Sequence, residues 1–251
     1  MEAAGCGADR RRKSIKDKAK ISLRKYDVGD KFSHLPLTKA SVLMPLMVKD
    51  EKLHVLFTVR SMKLRRSPGE VCFPGGKSEA TDRDEIATAL REAKEEVGLC
   101  PEQVEVICRL VPGIDKVNVF SCFQMGSLIT PVAGFIDDSF QACPNPEEVS
   151  AVFVVPLDYF INPVKYTALP YRASDGVSHW MHSFVYDDPE HNTSYEIWGL
   201  TAHFAVFLAL VIFGERPTFD VEYDLDNLIS SSEDSLLALY KTQHEKRKSK
   251  L

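Results

Sequence analysis

Glu85, Glu92, Glu95 and Glu96 crowd into twelve consecutive residues of a 251-residue chain. Counted at about 100° per residue from Ile86, the apolar residues Ile86, Leu90, Ala93 and Val97 fall within about 60° of one another, a narrow buried stripe. Glu85, Glu92 and Glu96 share a second face, with Glu95 at its margin. Like charges at this spacing repel, and each pair costs an isolated helix roughly a few tenths of a kcal/mol. Arg91, four residues before Glu95, can neutralise one carboxylate, and a hard divalent cation with oxygen ligands would relieve the rest. The charge pattern by itself favours a solvated acidic face partnered by Arg91 and Lys94. Just upstream, Gly75-Gly76 permits a backbone turn closed to other residues.

The linear order of these residues separates the two readings. Gly76 followed by Arg91-Glu92-Ala93-Lys94-Glu95-Glu96-Val97-Gly98-Leu99 resembles the Nudix box, Gly-x5-Glu-x7-Arg-Glu-(apolar)-x-Glu-Glu-x-Gly-(apolar), and its second half matches at every defined position. The interval from Gly76 to Arg91 is one residue longer than the common pattern. The first glutamate therefore has no clean equivalent: Asp82, Asp84 and Glu85 are candidates, and Glu85 is favoured because it shares the carboxylate face. The preceding stretch, Leu56-Phe57-Thr58-Val59-Arg60-Ser61 through Arg65 and Gly69 to Phe73-Pro74-Gly75-Gly76, resembles the signature of the coenzyme A subgroup of Nudix hydrolases, with Phe57 in place of a leucine. Ile197-Trp198-Gly199-Leu200-Thr201-Ala202 also looks like this subgroup.

The resemblance implies an α+β fold, the Nudix α/β/α sandwich with a mixed central sheet. It implies a metal-dependent hydrolase that cleaves the diphosphate of coenzyme A and its acyl or oxidised derivatives to 3′,5′-ADP and (acyl-)4′-phosphopantetheine. Glu92 and Glu96 would bind Mg2+ or Mn2+, with Glu95 a further ligand or the water-orienting base and Arg91 positioning a glutamate. Arg60 and Arg65, as motif positions, and Gly75 and Gly76 would meet the substrate. Lys63, Arg66 and Lys77 add positive charge along the same approach, and an arginine fork grips phosphate bidentately. Two other outcomes remain open: the same chemistry on NADH or ADP-ribose, and a binding module that keeps the fold without catalysis.

The elements that must position these residues follow from hydrophobic patterning. Residues 41–48 and 53–60 are apolar, β-favouring runs around a polar turn, and read as a hairpin. A basic loop spans 61–68, a short strand covers 70–73, and a helix runs from about 84 to 97. Further strands are expected over 103–111, 128–136, 149–155, 179–186 and 195–198, with a short helix at 157–160 and a buried helix at 201–213. Short strands interrupted by two long helices suit a mixed sandwich. The 113–126 stretch is longer and more apolar than a tight strand connection; it fits an insertion that shields the pocket or a segment that impairs folding.

Charge is unevenly distributed. Residues 1–26 hold nine Lys/Arg against three Asp/Glu (net +6), so the remainder carries −11 of the total −5. Residues 1–36 read as a basic arm or helix, with an amphipathic basic helix over 10–26, residues 37–215 as the hydrolase domain and 216–251 as an extension. The most apolar run is too short for a bilayer, which needs about 20 residues, so no membrane span is expected. Neither is a specific nucleic-acid partner, and the protein is expected to be monomeric. The six cysteines form no paired motif and no secretory signal precedes them, which reads as reduced thiols. Ser249-Lys250-Leu251 at the C-terminus is a peroxisomal address, which would place the protein in the matrix with the import receptor as a partner.

Overall fold

The structure, a computed structural model, describes residues 14–115, 126–172 and 178–248. Strands β1 (Lys39–Lys49) and β2 (Lys52–Arg60) form the expected hairpin. Asp50 and Glu51 join them at φ 51° and 57°, the left-handed pair that a two-residue hairpin turn demands. β3 (Val71–Cys72) pairs with the far end of β2, and β4 (Gly75–Lys77) pairs with the start of β1. β5 (Glu105–Arg109) and the two-residue β6 (Gly113–Ile114) both pair with β7 (Leu128–Phe135), while β8 (Val149–Pro156) flanks β2. The β1–β7 pairing is parallel and the others are antiparallel, so the sheet is mixed.

Burial follows the pleat. On one face, Leu43, Met47, Leu56 and Val132 pack with Ala89, Ala93 and Val97 of the acidic helix α2, here after α1 (Ile15–Arg24) as the second helix (Glu85–Val97). The other face is larger. Met44, Leu46, Val55 and Phe57 share one core with α1, with α3 (Gly199–Phe213) and with a second antiparallel sheet of β9 (Tyr166–Arg172), β10 (Ser178–Asp188) and β11 (Thr193–Trp198). The architecture is the expected α/β/α sandwich with a mixed central sheet; the second sheet in its far layer is an addition. α3 is apolar all round and buried from Phe204 to Val211, as a core helix must be. No helix among the described residues is long and apolar enough to cross a membrane.

The basic N-terminal segment forms helix α1 and packs into the fold where it is described. Ala19, Leu23, Phe32 and Leu35 are buried in the main core. Lys16 and Lys20 pair with Glu105 on the β5 edge. The extension after α3 is likewise structured: α4 (Leu228–Lys248) is anchored by buried Leu228 and Leu236 and by the Lys31–Glu233 ion pair. Of the 113–126 stretch, residues 113–115 and 126 continue the β6–β7 arms, with the Asp115 N–H donating to Ser127 O at 2.9 Å; residues 116–125 lie outside the described residues.

Candidate active site

Helix α2 is fixed at both ends by local chemistry. Asp84 caps its N-terminus, accepting from the Ala87 N–H at 2.7 Å. Gly98 ends it at φ 72°, with Gly98 N–H and Leu99 N–H donating back to Lys94 O and Ala93 O, the first of these being the bond of a left-handed glycine stop. Between these ends the apolar stripe seats the helix on the sheet, with Glu92 and Glu96 on the side of β4.

There the two glycines decide the geometry. A Cβ on Gly76 would lie 2.5 Å from the Glu92 carboxylate carbon, and one on Gly75 would lie 2.3 Å from Ser41 O. These glycines act as strand residues that let a carboxylate and a neighbouring strand approach, not as the turn the sequence suggested. The Gly75 N–H donates to Glu96 Oε2 at 3.1 Å. Glu96 is only 6% exposed, and burial pushes its carboxyl up to about 8 against the partial relief of the Gly75 bond. Burial also raises Glu92, with Arg91 pulling the other way.

Arg91 is saturated with acceptors. Its Nε and Nη2 donate to both Asp82 oxygens at 3.0 Å, Nη2 also to Lys77 O at 2.9 Å, and Nη1 to Glu92 at 2.9 Å and Glu95 at 3.1 Å. The guanidinium holds the Asp82 carboxyl down at about 2. Glu95 is the exposed carboxylate of the group, its side chain 54% accessible. Arg60, at the end of β2, donates Nε to Arg66 O at 3.3 Å, and its charge counters the upward push on Glu96. Arg65 stands exposed on the 61–69 loop.

The helix start behaves differently. Glu85, the favoured stand-in for the first motif glutamate, has its two oxygens taken by Ser33 Oγ and by Arg109 Nη1, the latter at 3.2 Å. Burial raises its carboxyl, but Ser33 and Arg109 outweigh that and hold it below the ordinary glutamate value. Asp82 is bound to Arg91 and Asp84 is the cap. None of the three residues is turned over to the Glu92–Glu96 pair.

One acidic residue beside the pair has no signal in the motif. Glu148, half-buried just before β8, adds negative charge that raises both Glu92 and Glu96. Its place is set by the backbone: Asn145 N–H donates to Glu96 O at 2.9 Å, and Ser61 N–H donates to Glu148 O at 2.8 Å. Thr201 Oγ1 donates to Val71 O at 3.1 Å, which ties the Ile197–Ala202 segment to β3 beside the site. Shape alone points elsewhere: a cleft of about 420 Å3 between α1 and the β5–β7 edge is lined by Lys16, Glu105, Phe135 and Asp137, with none of the motif residues.

The carboxylates fit a hard divalent cation. Glu92 and Glu96 are desolvated, raised and further stressed by Glu148, so a cation would remove a cost already present in the fold. Among the described residues no three acidic, histidine or cysteine side chains converge as a ready-made cage. A small divalent ion does not require one, since it takes one or two carboxylates and completes its shell with water and substrate phosphate. Residues Ser249, Lys250 and Leu251 lie outside the described residues.

A model of the NUDIX domain matches residues 37–175. The peroxisomal coenzyme A diphosphatase of Mus musculus is 50% identical over 229 residues, covering 91% of this chain and 93% of its own. The mitochondrial Nudix hydrolase 15 of Arabidopsis thaliana is 37% identical, covering 76% of this chain and 68% of its own. An uncharacterized Nudix hydrolase of Citrobacter koseri is 38% identical, covering 71% and 84%.

Proposed function

This chain belongs to the Nudix family, and from that premise we propose that it hydrolyses the diphosphate of coenzyme A and of its acyl and oxidised forms, releasing 3′,5′-ADP and (acyl-)4′-phosphopantetheine. The observation that carries the reading is one piece of geometry. Gly75 and Gly76, which close the coenzyme A-type signature, are the residues against which the desolvated Glu92 and Glu96 rest.

Members of this family depend on a divalent metal; Mg2+ or Mn2+ held by Glu92 and Glu96, with Glu95 joining, would neutralise the diphosphate and acidify a bound water. The rest falls to the chain itself. Glu95, exposed at the margin, accepts the proton of the attacking water. Arg91 holds Glu92 and Glu95 from a single nitrogen and so fixes their separation. Arg60 and Arg65 receive phosphate oxygens, and Gly75 and Gly76 bring Glu92 and Glu96 to the place where the diphosphate binds.

The test is hydrolysis by the purified full chain with Mg2+ or Mn2+. Coenzyme A should yield 3′,5′-ADP, and dephospho-coenzyme A, NADH and ADP-ribose should turn over at least about tenfold less efficiently, the size of one lost charge-assisted contact. Equal turnover without the 3′-phosphate would overturn the substrate assignment. The Mus musculus relative is named as peroxisomal; for this chain a peroxisomal matrix location is proposed, read by the import receptor through Ser249, Lys250 and Leu251. A tagged chain lacking those three residues should then stay in the cytosol. A monomer is proposed, to be checked by light scattering.

A further inference from the structure

Glu85 lies on the same side of α2 as Glu92, about 20° away in projection, but two turns and about 10 Å back along the axis. Its carboxylate is gripped from two directions. Ser33 Oγ donates to Oε1, and Arg109 Nη1 donates to Oε2 at 3.2 Å. Both partners sit on anchored backbone. The Arg109 N–H donates to Asp27 Oδ1, and its carbonyl accepts from the Val28 N–H, both at 2.9 Å. Ser33 follows Phe32, which is 4% exposed, and precedes Leu35, which is 6% exposed. Lys39 Nζ closes that turn by donating to Leu35 O at 2.8 Å.

We propose that Glu85 is a positioning residue: Ser33 and Arg109 clamp it, and the clamp sets the rotation of α2 that carries Glu92 and Glu96 to Gly75 and Gly76. The inference rests on reading Glu92 and Glu96 as the cation-binding carboxylates. Val97 and the Gly75–Glu96 bond hold the C-terminal half of α2, but the sheet meets only the small Ala89 and Ala93 in its middle, which present little to resist a small roll. A roll of about 20° would shift a carboxylate some 6 Å from the axis by about 2 Å, and misplacements of about 1 Å cost catalysis roughly a hundredfold. The clamp also gives the N-terminal segment a task in the site although it touches no reacting atom.

The competing role is that of an outer cation ligand, and a double-variant cycle separates the two. Mn2+ binding is measured by electron paramagnetic resonance on the substrate-free full chain, beside kcat for coenzyme A, in Glu85→Gln, Arg109→Gln and the double variant. A positioning role gives similar losses in both single variants, about tenfold in Mn2+ affinity and in kcat, and a double variant no worse than either. Weakened Mn2+ binding in Glu85→Gln alone, with Arg109→Gln unchanged, makes Glu85 a ligand and overturns the proposal. So does a fall in melting temperature with both readings unmoved, the mark of a merely stabilising pair. Ser33→Ala leaves the ion pair intact and should move both readings the same way by a smaller factor, which keeps the test available if an Arg109 variant does not fold. Mn2+ binding is read without substrate, so a failure of the coenzyme A assignment shows separately, as an inactive unmodified protein.

Discussion

At the start of α2, Asp82, Asp84 and Glu85 are each matched to a partner: Arg91, the Ala87 N–H, and Ser33 with Arg109. At its end, Glu92 and Glu96 are pressed into the fold against glycine backbone with too few donors, and burial raises both. The two ends are equally acidic in composition and opposite in electrostatics. Of the partnered carboxylates, Asp82 and Glu85 lie low, and they hold structure. Underpartnered, desolvated ones lie high and are available to a cation. Arg91 spans the boundary, one edge of its guanidinium on Asp82 and the other nitrogen on Glu92 and Glu95.

The comparison breaks first if the two ends respond alike to loss of charge. Glu96→Gln keeps the shape and can still meet the Gly75 N–H, but it removes a ligand charge from a buried position. The expected outcome is a fall in kcat for coenzyme A of about a thousandfold or more, in line with removing a principal electrostatic group, with little loss of melting temperature. A variant retaining a tenth of the activity would place the chemistry elsewhere.

How far the sequence led differs between these ends for physical reasons. The stripe of Ile86, Leu90, Ala93 and Val97 is a local signal, and the helix is where it puts it. The 41–60 hairpin was equally legible. Angular position singled out Glu85 as a ligand candidate, yet two partners far away in sequence, Ser33 and Arg109, claim it. Glu148 was invisible because it reaches the site only through the fold, on a loop bonded to Glu96 O. β4 lacks any strand-forming side chain in its two glycines, and β9 contains Pro170, tolerated because it pairs only with β10 as an edge strand. α4 begins with serines that favour caps and turns; here Ser231, Ser232 and Ser235 bond back to helix carbonyls.

The raised end also has a pH signature. A carboxyl at about 8 in the fold and 4.5 when free makes the folded state the tighter proton binder. Its stabilising contribution is fully present below about pH 4.5, declines as pH rises, and is gone above about 8. Chelator-treated protein should therefore lose on the order of a few kcal/mol across that window, measured by urea unfolding, and Glu96→Gln should flatten the slope. Mg2+ or Mn2+ should restore stability at the alkaline end. Metal affinity should in turn weaken as pH falls below about 8, because the cation must displace a proton. A metal-free protein whose stability is flat between pH 5 and 8, tested as ~1-unit steps, would mean that Glu96 is not desolvated as described.

The partnered end should show the opposite sign and a smaller effect. Asp82 is held at about 2 against 3.8 when free, so its contribution is present above about pH 3.8 and lost as pH falls through about 2. Asp82→Asn keeps a carbonyl for Arg91 but gives up the charge, and should cost about 1–2 kcal/mol at neutral pH, the scale of a charge-assisted bond. Because the freed guanidinium then leans further onto Glu92 and Glu95, the cation must compete harder for those carboxylates. The half-saturating metal concentration should rise about three- to tenfold, a shift of about 1 kcal/mol, while kcat at saturating metal stays within about twofold. That pattern, a stability cost with activity recoverable by metal, separates a residue that holds Arg91 from one that holds the ion. If saturating metal left Asp82→Asn as inactive as Glu96→Gln, the division of α2 into a structural end and a chemical end would fail at the residue where it is sharpest.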